Sequence, residues 1–101
     1  MTHEDERRTL TSIPYKEGEI KIIVAKQDCE LGNHYHKIKT EHFKLLMGGG
    51  IAIINDKRVL MNRSEFLHIE PEMRHSFALK KDSILYCTCS HPYDKNDDYE
   101  Y

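Results

Sequence analysis

Apolar residues fall in short runs along this chain, most with a period of two, and turn-forming residues separate them. Glu19 to Lys26 reads E-I-K-I-I-V-A-K, short and β-branched, which predicts a strand. His34 to Lys37 and Glu41 to Met47 predict two more, followed by a turn at Gly48-Gly49-Gly50. Ile51 to Ile54 and Arg58 to Met61 flank Asn55-Asp56-Lys57, a hairpin signal. After a turn at Asn62-Arg63-Ser64 come strands at Phe66 to Ile69, Arg74 to Leu79 and Ser83 to Cys89. Apolar spacing of the helical kind never persists beyond about one turn. Strands recurring at about ten-residue intervals predict an all-β sandwich or barrel.

Alternation also assigns faces. Glu41 shares its side with Phe43, Leu45 and Met47, while His42, Lys44 and Leu46 take the other. A carboxylate is thereby aimed at the core, a costly position unless a cation or hydrogen bonds compensate it. His34 and His36 share a face, with Tyr35 turned away from them, and His75 shares a face with Phe77 and Leu79. By the same rule His42 is expected on the outside and His68 as an ordinary strand residue. Cys89 is expected as a small buried apolar group. Lys37 and Lys39 are expected at the surface.

Composition narrows the field of functions. At 101 residues the chain makes one domain with a modest core. A formal net charge of -2 gives no strong field toward nucleic acid or an anionic membrane. No apolar run approaches the roughly 20 residues of a membrane span. The N-terminus carries no apolar signal region, so a cytoplasmic protein is expected. Three cysteines, an odd number, are expected as free thiols. Acidic residues gather at both ends. We therefore expect an N-terminal arm over 1–17, a barrel over 18–90 and a solvated acidic tail over 91–101 that adds little to the fold.

Seven histidines is a high count for this length, and imidazole is a common metal ligand. A metal that takes nitrogen and oxygen donors needs lone pairs converging at about 2.0–2.2 Å. Two histidines at i and i+2 on a strand, a glutamate entering from the next strand and a histidine from a distant one would supply them. Taken singly, an H-x-H pair or an isolated histidine carries little weight in so histidine-rich a chain. Their joint spacing against the strand pattern carries more.

That spacing resembles the first motif of the cupin family: His34-x-His36, four residues, Glu41, six residues, Gly48. Gly32 lies two residues before the first histidine, where the motif has its glycine six before. The segment Ile69-Glu70-Pro71-Glu72-Met73-Arg74-His75 resembles the second motif in Pro71 and His75. Glu72 stands where glycine is usual, and Leu79 where asparagine is frequent. The resemblance spans roughly residues 18–90. It implies a cupin-type double-stranded β-helix, or jelly-roll barrel, binding one divalent metal ion (Mn, Fe, Ni, Zn or Cu) through His34, His36, Glu41 and His75.

One barrel of this kind hosts many unrelated activities, so the substrate does not follow from it. Two functional classes are expected. One is a metal-dependent enzyme acting on a small polar organic molecule, by sugar isomerase or epimerase chemistry or by dioxygenase chemistry. The other is a non-enzymatic module that holds metal or a small ligand. A water-filled cavity with acid–base groups beside the metal would favour the enzyme, and a closed apolar one the module. Open sheet edges lead us to expect a homodimer.

Overall fold

A computed structural model describes all 101 residues, and its architecture follows from the alternation just described. Eleven strands run in chain order: β1 (Thr2–Glu4), β2 (Arg8–Tyr15), β3 (Gly18–Ala25), β4 (Cys29–Tyr35), β5 (Glu41–Met47) and β6 (Gly50–Ile54). They continue as β7 (Lys57–Leu60), β8 (Leu67–Ile69), β9 (His75–Leu79), β10 (Ile84–Cys89) and β11 (Tyr99–Glu100), with one 3-10 turn at Lys95–Asp97. They form two antiparallel sheets, in the orders β1-β2-β3-β10-β5-β8 and β11-β4-β9-β6-β7. The chain stays within one sheet only from β1 through β3 and from β6 to β7 and changes sheet at every other connection, which wraps both sheets around one core. The expected all-β jelly-roll architecture is what the chain adopts.

The inner faces carry Ile23, Leu31, Phe43, Leu45, Ile69, Phe77, Leu79 and Leu85, all buried. On β5 the alternation holds from Glu41 through Leu45, all three inward residues being buried. It lapses at Met47, which is half exposed where the strand leaves the barrel. Leu85 is completely buried, so Leu85→Ala should cost about 2–5 kcal/mol.

Turns fix the register. Asn55 and Asp56 both have positive φ, 48° and 69°, the combination that matches the twist of a two-residue hairpin. Lys57 therefore already belongs to β7 rather than to the turn. Between β5 and β6, Gly48 has φ +88°, and a Cβ there would lie 2.3 Å from Ser83 Oγ. That buried hydroxyl donates to the Gly49 carbonyl at 2.9 Å and accepts from the Gly49 amide at 3.1 Å. Position 48 thus excludes a side chain by both conformation and space.

Both chain ends are more structured than the sequence suggests. Residues 2–4 and 8–15 form a hairpin, and β2 pairs with β3 over its full length, from Arg8 opposite Ala25 to Tyr15 opposite Gly18. At the other end, Tyr99 and Glu100 pair with Tyr35 and His34. Asp97 is only 6% exposed. The acidic tail is accordingly not solvated filler. Within it, Asp97 accepts from three backbone amides.

Candidate metal centre

Each of the four residues singled out by spacing is placed by a distinct backbone device. Glu41 opens β5 and His75 opens β9; both side chains are fully buried. In β4 the register slips between Gly32 and His34: Gly32 faces Ser76 and His34 faces His75, leaving Asn33 unpaired. Gly32 and Asn33 both have positive φ, 98° and 65°. This bulge re-aims His34 toward His75. It also explains the misplaced glycine of the first motif, since Gly32 serves the bulge. His36 lies one residue past the end of β4 and is 4% exposed.

The four side chains meet, each offering a ligand atom, with all of these atoms within 4.8 Å of one another. His36 Nδ1 donates to the Asp97 carbonyl at 2.6 Å, and His75 Nδ1 donates to the Met73 carbonyl at 3.0 Å. A carbonyl can only accept, so in the neutral rings both Nδ1 atoms carry the proton and both Nε2 atoms keep a lone pair. Those Nε2 atoms lie 3.1 and 3.3 Å from Glu41 Oε1. None of the three atoms makes a hydrogen bond, although all are buried. Two lone-pair nitrogens and an anionic oxygen converging without a proton between them are mutually repulsive, and a cation removes the repulsion. The donor set fits a divalent metal. Backbone carbonyls behind the imidazoles supply the support that metal-binding histidines use.

Glu41 has a second face. Its Oε2 accepts from Lys21 Nζ at 3.2 Å and from the Cys87 and Cys89 thiols at 3.6 Å each. Burial works against the Glu41 charge. The ammonium groups of Lys21 and Lys39 act against burial, and the carboxyl is held below its usual range. Burial likewise works against the Lys21 charge, yet Glu41 keeps that ammonium above its ordinary value. Burial pushes the Cys87 thiol far up, so it remains a neutral donor. His34 is pushed down to about 3, by burial first and then by His75 and His36. Its Nδ1 lies 3.4 Å from Asp98 Oδ1.

Asp97 holds the loop between β4 and β5. Its carboxylate accepts from the amides of Lys37, Ile38 and Lys39 at 2.8–3.2 Å, while its carbonyl orients His36. Burial would raise the Asp97 carboxyl; the three amides more than offset it and hold it low. Beside the four residues opens a cavity of about 470 Å³, bounded by Leu10, Ile23, Phe43 and Phe77 and by charged side chains, Glu19 and Lys39 among them.

Sequence reasoning assembled the four candidate ligands but missed their supports. Glu19 and Lys21 alternate with Ile23 and Ala25 on β3, and Cys87 with Leu85 on β10, so alternation could have found them. No local pattern marks Asp97, which acts on a loop some sixty residues away. Lys39, expected at the surface, is 3% exposed, because the Asp97 latch folds its loop over the cavity. His42 and His68 lie on the outer side, where they contact each other and Glu70. Tyr35 points away from the site and stacks on Tyr99, with ring centres 5.2 Å apart. All three cysteines are free, and Cys89 is buried. No helix is long and apolar enough to cross a membrane.

No family model and no curated protein matches this sequence. Solved structures do match its fold. The capsular polysaccharide assembling protein CapF from Staphylococcus aureus aligns with TM-score 0.86 and 21% identity over 99% of this chain and 31% of its own. The nucleoside dehydratase Pac13 of Streptomyces aligns with TM-score 0.75 and 10% identity, over 100% of this chain and 83% of its own. A 3,4-ketoisomerase from Helicobacter canadensis aligns with TM-score 0.77 and 24% identity, over 88% of this chain and 72% of its own. This chain thus spans about a third of the length of CapF. Its two-sheet barrel is a cupin-type fold. Within that fold, His34, His36, Glu41 and His75 form a cluster able to hold a metal ion.

Proposed function

We propose that this protein is a small metal-dependent cupin enzyme that isomerises or epimerises a small polar carbonyl compound of the sugar class. The observation that carries the reading is the cavity. It opens beside the candidate ligands and contains a carboxylate, Glu19, whose Oε1 is buried without a hydrogen bond. A module that merely stores metal has no use for an acid–base group there, whereas moving a proton between carbons requires one.

His34, His36, Glu41 and His75 would hold the metal, and the ion when bound would supply Lewis acidity toward a carbonyl and its neighbouring hydroxyl. Lys21 fixes the Glu41 carboxylate and balances its charge. Asp97 and the Met73 carbonyl keep the imidazole lone pairs aimed inward. Glu19 would take the proton from the carbon next to the carbonyl and return it to the adjacent carbon or the opposite face, with no net oxidation. Leu10, Ile23, Phe43 and Phe77 would give the apolar part of the substrate a wall to pack against. The 3,4-ketoisomerase of like fold supports this chemistry over dioxygenation by its named reaction.

Exchange of carbon-bound hydrogen tests the proposal. Protein loaded with Mn or Zn is incubated with a panel of keto-sugars and their nucleotide conjugates in deuterium oxide and followed by NMR. We expect deuterium to enter next to the carbonyl of at least one compound. Glu19→Gln should slow that exchange at least about 100-fold, with metal content unchanged. Exchange equally fast in Glu19→Gln, or none with any compound, would overturn the isomerase reading.

A further inference from the structure

Two of the three thiols sit together against Glu41. Cys87 and Cys89 share the inward face of β10 with Leu85, and all three are buried. β10 is the strand between β3 and β5. Its register sets Cys89 directly opposite Glu41 and Cys87 directly opposite Lys21. The two sulfurs lie 3.5 Å apart, and each lies 3.6 Å from Glu41 Oε2. Three donor atoms thus form a nearly equilateral triangle on the carboxylate oxygen that His36 and His75 leave free, since both imidazoles face Oε1.

The triangle has the edges of a tetrahedral coordination shell. With metal–sulfur bonds of about 2.3 Å and a metal–oxygen bond of about 2.1 Å, tetrahedral angles place sulfur about 3.8 Å from sulfur and about 3.6 Å from oxygen. Charge also balances. A coordinating thiol gives up its proton to solvent, so two thiolates and the Glu41 carboxylate carry three negative charges. A divalent ion and the Lys21 ammonium, 3.2 Å from Oε2, carry three positive ones. A divalent ion that replaces two protons therefore leaves the formal charge of this buried cluster unchanged and avoids the cost of burying net charge.

A disulfide is the competing use of the pair. It would need the sulfurs to close from 3.5 Å to about 2.05 Å, between residues two apart on a strand that is paired on both sides. A metal ion bridges them where they stand.

We infer that Cys87, Cys89 and Glu41 Oε2 form a second cation site, for a soft divalent ion of the zinc and cadmium type, joined to the histidine cluster through Glu41. Its two thiolates set its preference apart from the nitrogen and oxygen donors of His34, His36, Glu41 and His75, which also suit a harder ion such as Mn. Three protein donors leave the fourth position to water. Until such an ion is supplied, the thiols stay protonated and donate to Glu41. The inference stands apart from the isomerase reading.

The probe is cadmium, and the protein carries Cys29→Ser so that only the pair can report. Thiolate ligation gives a sulfur-to-cadmium charge-transfer band in the ultraviolet, which nitrogen and oxygen donors do not. We expect the band to appear and to saturate at about two thiolates per ion. In Cys87→Ser/Cys89→Ser, and in the less polar Cys87→Ala/Cys89→Ala, the band should vanish and cadmium per chain should fall by about one. At one equivalent of cadmium, Mn-loaded protein should show the full band and keep its Mn. No band in the Cys29→Ser protein, a band that survives both double variants, or Mn leaving in step with the band overturns the second site. A protein that takes up no Mn yet shows the band supports this site and counts against the histidine cluster alone.

Discussion

Two groups of histidines lie on opposite sides of β5, and their surroundings divide them more sharply than their sequence positions do. Inside, His36 and His75 each give one ring nitrogen to a backbone carbonyl and leave the other bare, facing Glu41. Outside, His68 spends both nitrogens on neighbours, one on His42 and one on Glu70. The inner set has unfilled lone pairs in a buried setting; the outer set has filled ones and solvent nearby. A count of histidines cannot tell a ligand from a bystander. The partner behind each ring can, because it decides whether a lone pair remains.

Removing Glu41 should break the contrast most severely. Glu41→Ala leaves the Lys21 ammonium buried without its carboxylate, which should cost about 3–5 kcal/mol in urea unfolding and remove bound metal. A loss below about 1 kcal/mol would mean that Lys21 finds another partner. His75→Ala comes next. Elemental analysis should fall from about one metal per chain to nearly none, and the metal-dependent stability, about 2.7 kcal/mol at a hundredfold excess over Kd, should vanish. His42→Ala and His68→Ala should keep the metal and change stability by no more than about 0.5 kcal/mol. Equal metal in the His75 and His68 variants would erase the distinction.

Asp97→Ala probes the support rather than the ligands. Freeing three backbone amides should cost about 1–3 kcal/mol. Loosening the carbonyl that orients His36 should weaken metal binding about 10- to 100-fold in a chelator competition. Unchanged affinity would detach the chain end from the site. The smallest effect concerns protons. His34, held down to about 3 mainly by burial, stays neutral in the fold, whereas in an unfolded chain it titrates near 6.5. Its contribution to stability is therefore fully present above about pH 6.5 and drains as pH falls toward 3. Metal-free His34→Asn should show a flatter dependence of melting temperature between pH 6.5 and 4. In wild type the His34 ring should titrate by NMR near 3, and a midpoint near 6.5 would contradict its burial.

The same contrast shows what was legible in the sequence. A strand announces its inward face through alternation, so Glu41, beside Phe43 and Leu45, could be read as buried. The four candidate ligands could be gathered from spacing because each sits at or next to a strand terminus. The supporting parts lacked such a signal. Arg8 to Tyr15 has apolar residues at Leu10, Ile13 and Tyr15 but no sustained alternation, so it reads as part of an arm, and it becomes a strand through pairing with β3. Asp97 looks like one more acid in an acidic stretch, and only the folded loop of residues 37–39 gives it amides to accept from. Burial of Lys39 is a product of that latch, with no periodicity behind it.

Gly48 carries one more consequence. It closes the first motif in sequence, six residues after Glu41, but it touches no ligand. A side chain there would strike Ser83, and its φ of +88° already favours glycine. The motif therefore joins two independent physical demands in one stretch of chain: candidate ligands that converge, and a turn that admits no side chain. A variant without the candidate ligands His34, His36, Glu41 and His75 would still be held to glycine at 48. Glycine at 48 is thus a sign of the turn and not of the chemistry: a barrel can keep it with no ligand at the other positions.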